Sequence, residues 1–243
     1  QPSLPERGVV TLSLNLSPLK DASQTTQGVA IVLDDLTEKK RLEGQRRLFE
    51  RMVSPAVIEL LDPDKLQLGG KRTGITTIFA DIRGYTSYSE TLEPEVLVSV
   101  LNRYLAAAAE AILAERGTID KFMGDSVMAW FKAPIPQPDH ALRAVRAALG
   151  IRKAVDRIRG EIPADLQRSF GVGIHYGEAV LGLVGSEARL EYTAIGDSVN
   201  TAKRIQENAR AGQILISTEV HRLLGDLVVV QPVAPITAKG KRL

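Results

Sequence analysis

Thr118-Ile119-Asp120-Lys121-Phe122-Met123-Gly124-Asp125-Ser126-Val127-Met128-Ala129-Trp130-Phe131 reads as two short strands closed by Gly124-Asp125. A Gly-Asp pair between apolar runs is hairpin chemistry, because glycine supplies the positive φ that a two-residue turn needs. Upstream, Ile75-Thr76-Thr77-Ile78-Phe79-Ala80 is β-branched and apolar, the composition of a buried strand, and it ends on Asp81. If that strand lies beside the hairpin, Asp81 and Asp125 come together. Each alone is ordinary turn chemistry. Together, two bare carboxylates repel, and a hard divalent cation relieves the repulsion. Oxygen ligands of this kind suit Mg²⁺ or Mn²⁺.

The remaining periodicities extend the pattern. Residues 94–115 are rich in Ala and Leu and read as a long helix, and a helix capped by Asp139 runs to about residue 159. Strands are expected at 170–175 and 179–184, as a second hairpin around Tyr176-Gly177-Glu178. An extended segment at 191–195, a helix at 198–209 and a strand at 213–217 follow. This order matches an α+β plan, the ferredoxin-like split βαβ fold with additions. It predicts an antiparallel sheet with helices packed on one face.

The N-terminal part is different. Residues 8–35 read as two strands, the first broken by Ser17-Pro18-Leu19-Lys20-Asp21, and two strands alone make too little core for a domain. A highly charged helix follows, capped by Asp35 or Thr37, with sparse apolar positions at Leu42, Leu48 or Phe49, and Met52. It is either a solvated connector or a dimerising helix that pairs with a second copy. Ser54-Pro55 ends it and a short helix starts at Pro55; residues 66–73 read as a Gly-containing linker. The expected divisions are therefore 1–35, 36–73 and 74–243.

The 243 residues are 44% hydrophobic and 25% charged, as in a globular protein. With no cysteine, disulfides, thiolate metal sites and a cysteine nucleophile are excluded. The net charge of +2 is spread along the chain, which argues against a nucleic-acid partner. No apolar run approaches the ~20 residues of a membrane span, so no membrane contact is expected. A cytoplasmic location follows, although a chain opening on Gln1-Pro2 reads as a piece whose parent could be membrane-associated.

Four motifs then occur in order: residues 79–86 (Phe-Ala-Asp-Ile-Arg-Gly-Tyr-Thr), the hairpin at 121–128, Gly173-Ile174-His175-Tyr176-Gly177, and residues 191–204 (Glu-Tyr-Thr-Ala-Ile-Gly-Asp-Ser-Val-Asn-Thr-Ala-Lys-Arg). Together they resemble the class III nucleotidyl cyclases over about 170 residues. The resemblance implies conversion of ATP to 3′,5′-cyclic AMP and pyrophosphate, by in-line attack of the ribose 3′-oxygen on the α-phosphate. It implies a homodimer with two shared active sites. Asp81, Asp125 and the Ile82 backbone carbonyl of one subunit would hold two divalent cations, Mg²⁺ or Mn²⁺. The partner would contribute Lys121 and Thr193 to read the purine, Asn200 to position the ribose and Arg204 to stabilise charge on the α-phosphate.

These roles are physically reasonable. Lys is donor-only and matches the adenine N1 acceptor, whereas guanine N1 carries a proton. The Thr193 hydroxyl can accept from the adenine amino group. Asn200 and Arg204, four apart, share a helix face, and a planar Arg fork suits phosphate. Lys239 and Lys241 resemble the family's terminal-phosphate contacts. Gly171 departs from the family, where many members have an arginine, so that phosphate contact is missing or supplied elsewhere. His175 is read as a structural strand-end residue. The N-terminal strands resemble the end of a PAS sensor and residues 36–73 a transducer linker, which implies an upstream sensor domain. The competing readings are a guanylate cyclase, which Lys121 argues against, and a catalytically silent nucleotide-binding dimerisation module. A diguanylate cyclase would need a Gly-Gly-Asp/Glu-Glu-Phe turn that the sequence lacks.

Overall fold

The computed structural model describes residues 3–4, 8–20, 22–52, 55–58, 68–86, 92–186, 188–238 and 241–242. They fall into two compact units, divided between Ile58 and Glu59.

In the first unit β1 (Ser3–Leu4) pairs with β2 (Gly8–Val9), and β3 (Leu12–Lys20) pairs antiparallel with β4 (Thr26–Asp35). The expected break at Ser17-Pro18 does not occur: Pro18 pairs with Val29 inside the ladder. A two-stranded ribbon has only edges, where a missing N–H costs little. Helix α1 (Thr37–Met52) is stitched to the ribbon at its start. Asp35 Oδ1 accepts from the Thr37 N–H at 2.9 Å, and the Thr37 hydroxyl accepts from the Thr11 N–H at 2.9 Å. Of the two expected capping residues, Asp35 takes a helix N–H, whereas Thr37 opens the helix and takes an N–H of the ribbon. Along α1 the Glu38–Arg41 pair is exposed, and the helix is mostly solvent-facing where its side chains are described. A short helix α2 covers Pro55–Ile58.

The second unit is built on β5 (Gly69–Ile82), α3 (Pro94–Ala114), β6 (Thr118–Met123), β7 (Ser126–Phe131), α4 (His140–Ile158), β8 (Phe170–Ser186), β9 (Arg189–Ile195), α5 (Asp197–Glu207), β10 (Ile214–Ile216) and α6 (Thr218–Leu224). A two-residue ladder, β11 (Thr237–Ala238) with β12 (Lys241–Arg242), ends the chain. The sheet order is β10-β8-β5-β7-β6, with β9 paired to β8. All pairs are antiparallel except β10–β8.

Three expectations are corrected here. Strand β5 begins at Gly69, so residues 69–73 are sheet and not linker. Residues 170–184 are not a hairpin. They run as one 17-residue strand that pairs with β5 from Gly69↔Leu183 to Ile82↔Phe170. Gly177 serves close packing and not a turn: a Cβ there would stand 2.7 Å from Ser198 Cβ. Finally, helices cover both faces. Strand alternation sends Ile78, Ala80, Ile82, Val127, Ala129 and Phe131 into a cluster with Tyr104, Ala108 and Ile112 of α3 and Ala144, Ala148 and Ile151 of α4. The opposite residues, Ile75, Phe79, Met128 and Trp130, meet Val199 and Ala202 of α5. The sequence pattern hid this because a central strand buried on both faces has no polar side to read.

Among the described residues one helix, Pro94–Ala114, is long and apolar enough to cross a membrane by length and composition alone. Its Tyr104, Ala108 and Ile112 lie in the core of the domain.

Helix α5 sits so close to β8 that a Cβ on Gly173 would stand 2.5 Å from Gln206 Cα. Gly173→Ala should destabilise the domain by about 1–3 kcal/mol through overpacking against backbone. Urea unfolding of the two proteins measures it.

Candidate active site

Asp81 is the penultimate residue of β5, opposite Ser126 on β7 and Gly171 on β8. The β6–β7 hairpin closes as expected. Gly124 has φ +62° and Asp125 does not share the positive φ, the sign pattern of a type II′ turn. The Ile82 N–H donates to the Asp125 carbonyl at 3.2 Å, which ties the hairpin tip to the end of β5. The structure therefore brings the two carboxylates together. Burial raises the Asp125 pKa first, and the neighbouring Asp81 charge raises it further. Ser126 Oγ donates to Asp81 Oδ2.

The cations beside this pair were not all legible in sequence. Arg83 Nη1 stands 3.7 Å from Asp81 Oδ1, and Nη2 donates to the Gln206 carbonyl. Its Nε is buried without a partner among the described residues. Arg83 also accounts for Gly171. A Cβ at Gly171 would run into the Arg83 guanidinium and stand 2.8 Å from the Ala209 carbonyl oxygen. The space an arginine side chain would take from that position is already filled by Arg83, from the turn that follows β5. Lys203 of α5 lies 5.7 Å over the Phe79 ring and bonds Gln206 Oε1 at 3.0 Å; its charge and that of Arg83 oppose the rise at Asp125.

Among the described residues no group of three or more His, Cys, Asp or Glu is arranged to hold a metal. The donor set is two carboxylates, and the pKa of Asp125 is raised by burial and by the charge of Asp81. That is the chemistry expected of a site whose remaining oxygen ligands come from a phosphate substrate.

A second cluster joins β6 to β9, strands at opposite ends of the pairing order. Lys121 pairs with Glu191, and Thr193 Oγ1 donates to Asp120 Oδ2 at 2.8 Å. Lys121 and Thr193 are thus brought into one neighbourhood within one chain. Asp120 and Glu191 had no role in the sequence reading. The Asp120 pKa is raised by burial, with the Thr193 hydrogen bond opposing that rise. Lys121 lowers that of the exposed Glu191 by hydrogen bonding.

Asn200 and Arg204 lie on α5, away from its buried residues Val199, Ala202, Ile205 and Gln206. Asn200 is exposed and Arg204 half-buried, and neither side chain has a hydrogen-bond or ion-pair partner among the described residues. His175 is buried on β8, with Nδ1 3.6 Å from Glu219, and burial lowers its pKa. Lys239 lies outside the described residues, and of Lys241 only the backbone, in β12, is described.

Comparison with known proteins gives the family. The model of the adenylate and guanylate cyclase catalytic domain matches residues 70–243. Adenylate cyclase 1 of Rhizobium meliloti (strain 1021) is 37% identical over 174 residues, covering 70% of this chain and 26% of the relative. The adenylate cyclase of Anabaena cylindrica is 38% identical over 178 residues, covering 69% and 34%. The crystal structure of the guanylyl cyclase Cya2 superposes with a TM-score of 0.69 at 39% identity, over 72% of this chain and 90% of that one. That of the adenylyl cyclase CyaB from P. aeruginosa gives 0.68 at 37% identity, over 72% and 91%. The chain belongs to the adenylate and guanylate cyclase catalytic domain family, a group of lyases. It spans between a quarter and about a third of the length of these two curated relatives.

Because the Asp81 charge helps raise the Asp125 pKa, Asp81→Asn should move the Asp125 titration to lower pH in metal-free protein. Carboxyl NMR on both proteins reads the shift.

Proposed function

We propose that this domain converts ATP to 3′,5′-cyclic AMP and pyrophosphate at sites shared between two copies of the chain. The observation that carries the adenine reading is the meeting of Lys121 and Thr193 across β6 and β9, each held by a carboxylate neighbour. A donor-only ammonium beside a hydroxyl matches the N1 acceptor and amino donor of adenine.

Asp81, Asp125 and the Ile82 carbonyl are the residues we assign to two divalent cations, Mg²⁺ or Mn²⁺, which when bound would supply Lewis-acid stabilisation of phosphate charge. Lys121 and Thr193 hold the purine. Asn200 fixes the ribose so that its 3′-oxygen stands in line with the α-phosphorus. The 3′-oxygen–phosphorus bond forms as the bond to the bridging oxygen breaks. Pyrophosphate leaves with that electron pair, and the 3′-hydroxyl proton is released. Arg204 stabilises the charge that builds on the α-phosphate oxygens. Lys239 and Lys241 are assigned to the terminal phosphates.

Two features support a shared site. Asn200 and Arg204 point off the flank of α5 opposite to the one that packs on the sheet, and they have no partner among the described residues. Apolar side chains next to the purine-reading residues are exposed, with Phe122 at 48% and Ile195 at 52%. Such a surface is what a dimer contact covers. The ribbon is read as the end of a PAS-like sensor, and the charged helix α1 as part of a transducer that relays its state to this dimer.

GTP is the competing substrate, because a solved guanylyl cyclase is as similar as an adenylyl one. Product formation from ATP and GTP with Mn²⁺ or Mg²⁺, measured side by side, decides between them, and faster turnover of GTP would overturn the adenylate reading. Asp81→Ala and Asp125→Ala should each lower turnover by at least about 100-fold while circular dichroism stays unchanged. In a mixture of Asp81→Ala and Arg204→Ala proteins, each inactive alone, roughly a quarter of the parent activity should return. No return on mixing would exclude the shared site.

A further inference from the structure

Successive residues of a regular strand point to opposite faces, so Asp120 and Lys121 should not serve the same neighbour. They do, because β6 is irregular there. Ile119 pairs with Ala129 and Lys121 with Met128, so two residues of β6 oppose one of β7. That is a β-bulge, and a bulge re-aims a side chain. It lets Asp120 reach Thr193 while Lys121 reaches Glu191, both on β9.

The two contacts differ in consequence. Lys121 carries three N–H donors, so giving one to Glu191 leaves its character toward a ligand unchanged. Thr193 has one hydroxyl hydrogen and two lone pairs. A carboxylate can only accept, so Asp120 takes that hydrogen, at 2.8 Å. Thr193 then offers a ligand lone pairs alone. The adenine amino group donates to a lone pair, whereas the guanine O6 is an acceptor and would be repelled. A threonine whose hydroxyl were free to rotate could serve either base.

We propose that Asp120 is a specificity-determining positioning residue: by fixing the Thr193 hydroxyl as an acceptor, it makes the purine pocket select adenine over guanine. This rests on the reading of Lys121 and Thr193 as the purine-reading pair, and it deepens that reading by assigning the discrimination to a residue that need not touch the base.

The test is the ratio of kcat/KM for ATP to that for GTP in the full chain, for the parent, Asp120→Asn, Thr193→Val and the double variant. Asp120→Asn keeps size but can donate as well as accept, so the hydroxyl is no longer fixed. We expect the ratio to fall roughly 5–10-fold in Asp120→Asn, about the worth of one oriented hydrogen bond. The change should lie in the relative KM values, with kcat for ATP little altered. In the Thr193→Val background, Asp120→Asn should produce no further fall, because the hydroxyl it orients is gone. A merely structural Asp120 would lower both substrates alike and would act equally in either background. An unchanged ratio in Asp120→Asn, or an equal fall with and without Thr193, overturns the proposal while leaving the adenylate reading intact. A parent that prefers GTP overturns that reading and this inference with it. Equilibrium binding of non-hydrolysable ATP and GTP analogues reports the same ratio for any variant whose turnover is too low to measure.

Discussion

The catalytic domain depends on one ladder. Strand β5 pairs along its whole 14-residue length with β8, and the candidate site is positioned from that pair. Its closed end presents Asp81 between Ser126 and Gly171. Its other end carries β9, and through β9 the residues Glu191 and Thr193. The ladder can be this long because β8 is studded with glycine where other elements press on it. At Gly182 a Cβ would stand 2.7 Å from the Gly69 carbonyl carbon, and at Gly173 it would collide with α5. Backbone thus approaches backbone without a side chain between, and α5 lies flat on the sheet face that bears Phe79 and Asp81.

That packing sets the electrostatics of the carboxylate pair. Asp81 and Asp125 are forced together by a hairpin bonded to the end of β5, with Arg83 and Lys203 as the nearby cations. The arrangement sets two carboxylates in a place where burial resists charge, which makes it a candidate functional site. Arg83 fills the space over Gly171, so that position is not a void in this chain. The positive charge near Asp81 enters from the turn directly after its own strand.

Much of the candidate site was legible in sequence because its parts are local. The Gly124-Asp125 turn, the strand ending in Asp81, and the helical spacing of Asn200 and Arg204 each follow from a few neighbouring residues. The second set was not legible. Asp120 had no role in the sequence reading, since a bulge leaves no mark in composition. Arg83 read as part of a motif and not as the occupant of the space beside Gly171. The supposed hairpin at 176–178 failed for a related reason. Gly177 was taken as a turn residue, but a glycine also marks close packing, and only the neighbouring Ser198 tells the two apart.

The sequence by itself determined the α+β class, the β6–β7 hairpin with its turn, and the two aspartates that it and β5 present. These rest on side-chain period and backbone sterics, which act over a few residues. Tertiary structure decided which residues meet across the sheet: Thr193 with Asp120, Lys121 with Glu191, and Arg83 with the space over Gly171. The first of these contacts joins residues 73 apart in the chain. Such pairings are set by register, by one extra residue in a strand, and by how closely a helix can approach a glycine. None of these leaves a periodic signal along the chain, because each is a property of two segments and not of one.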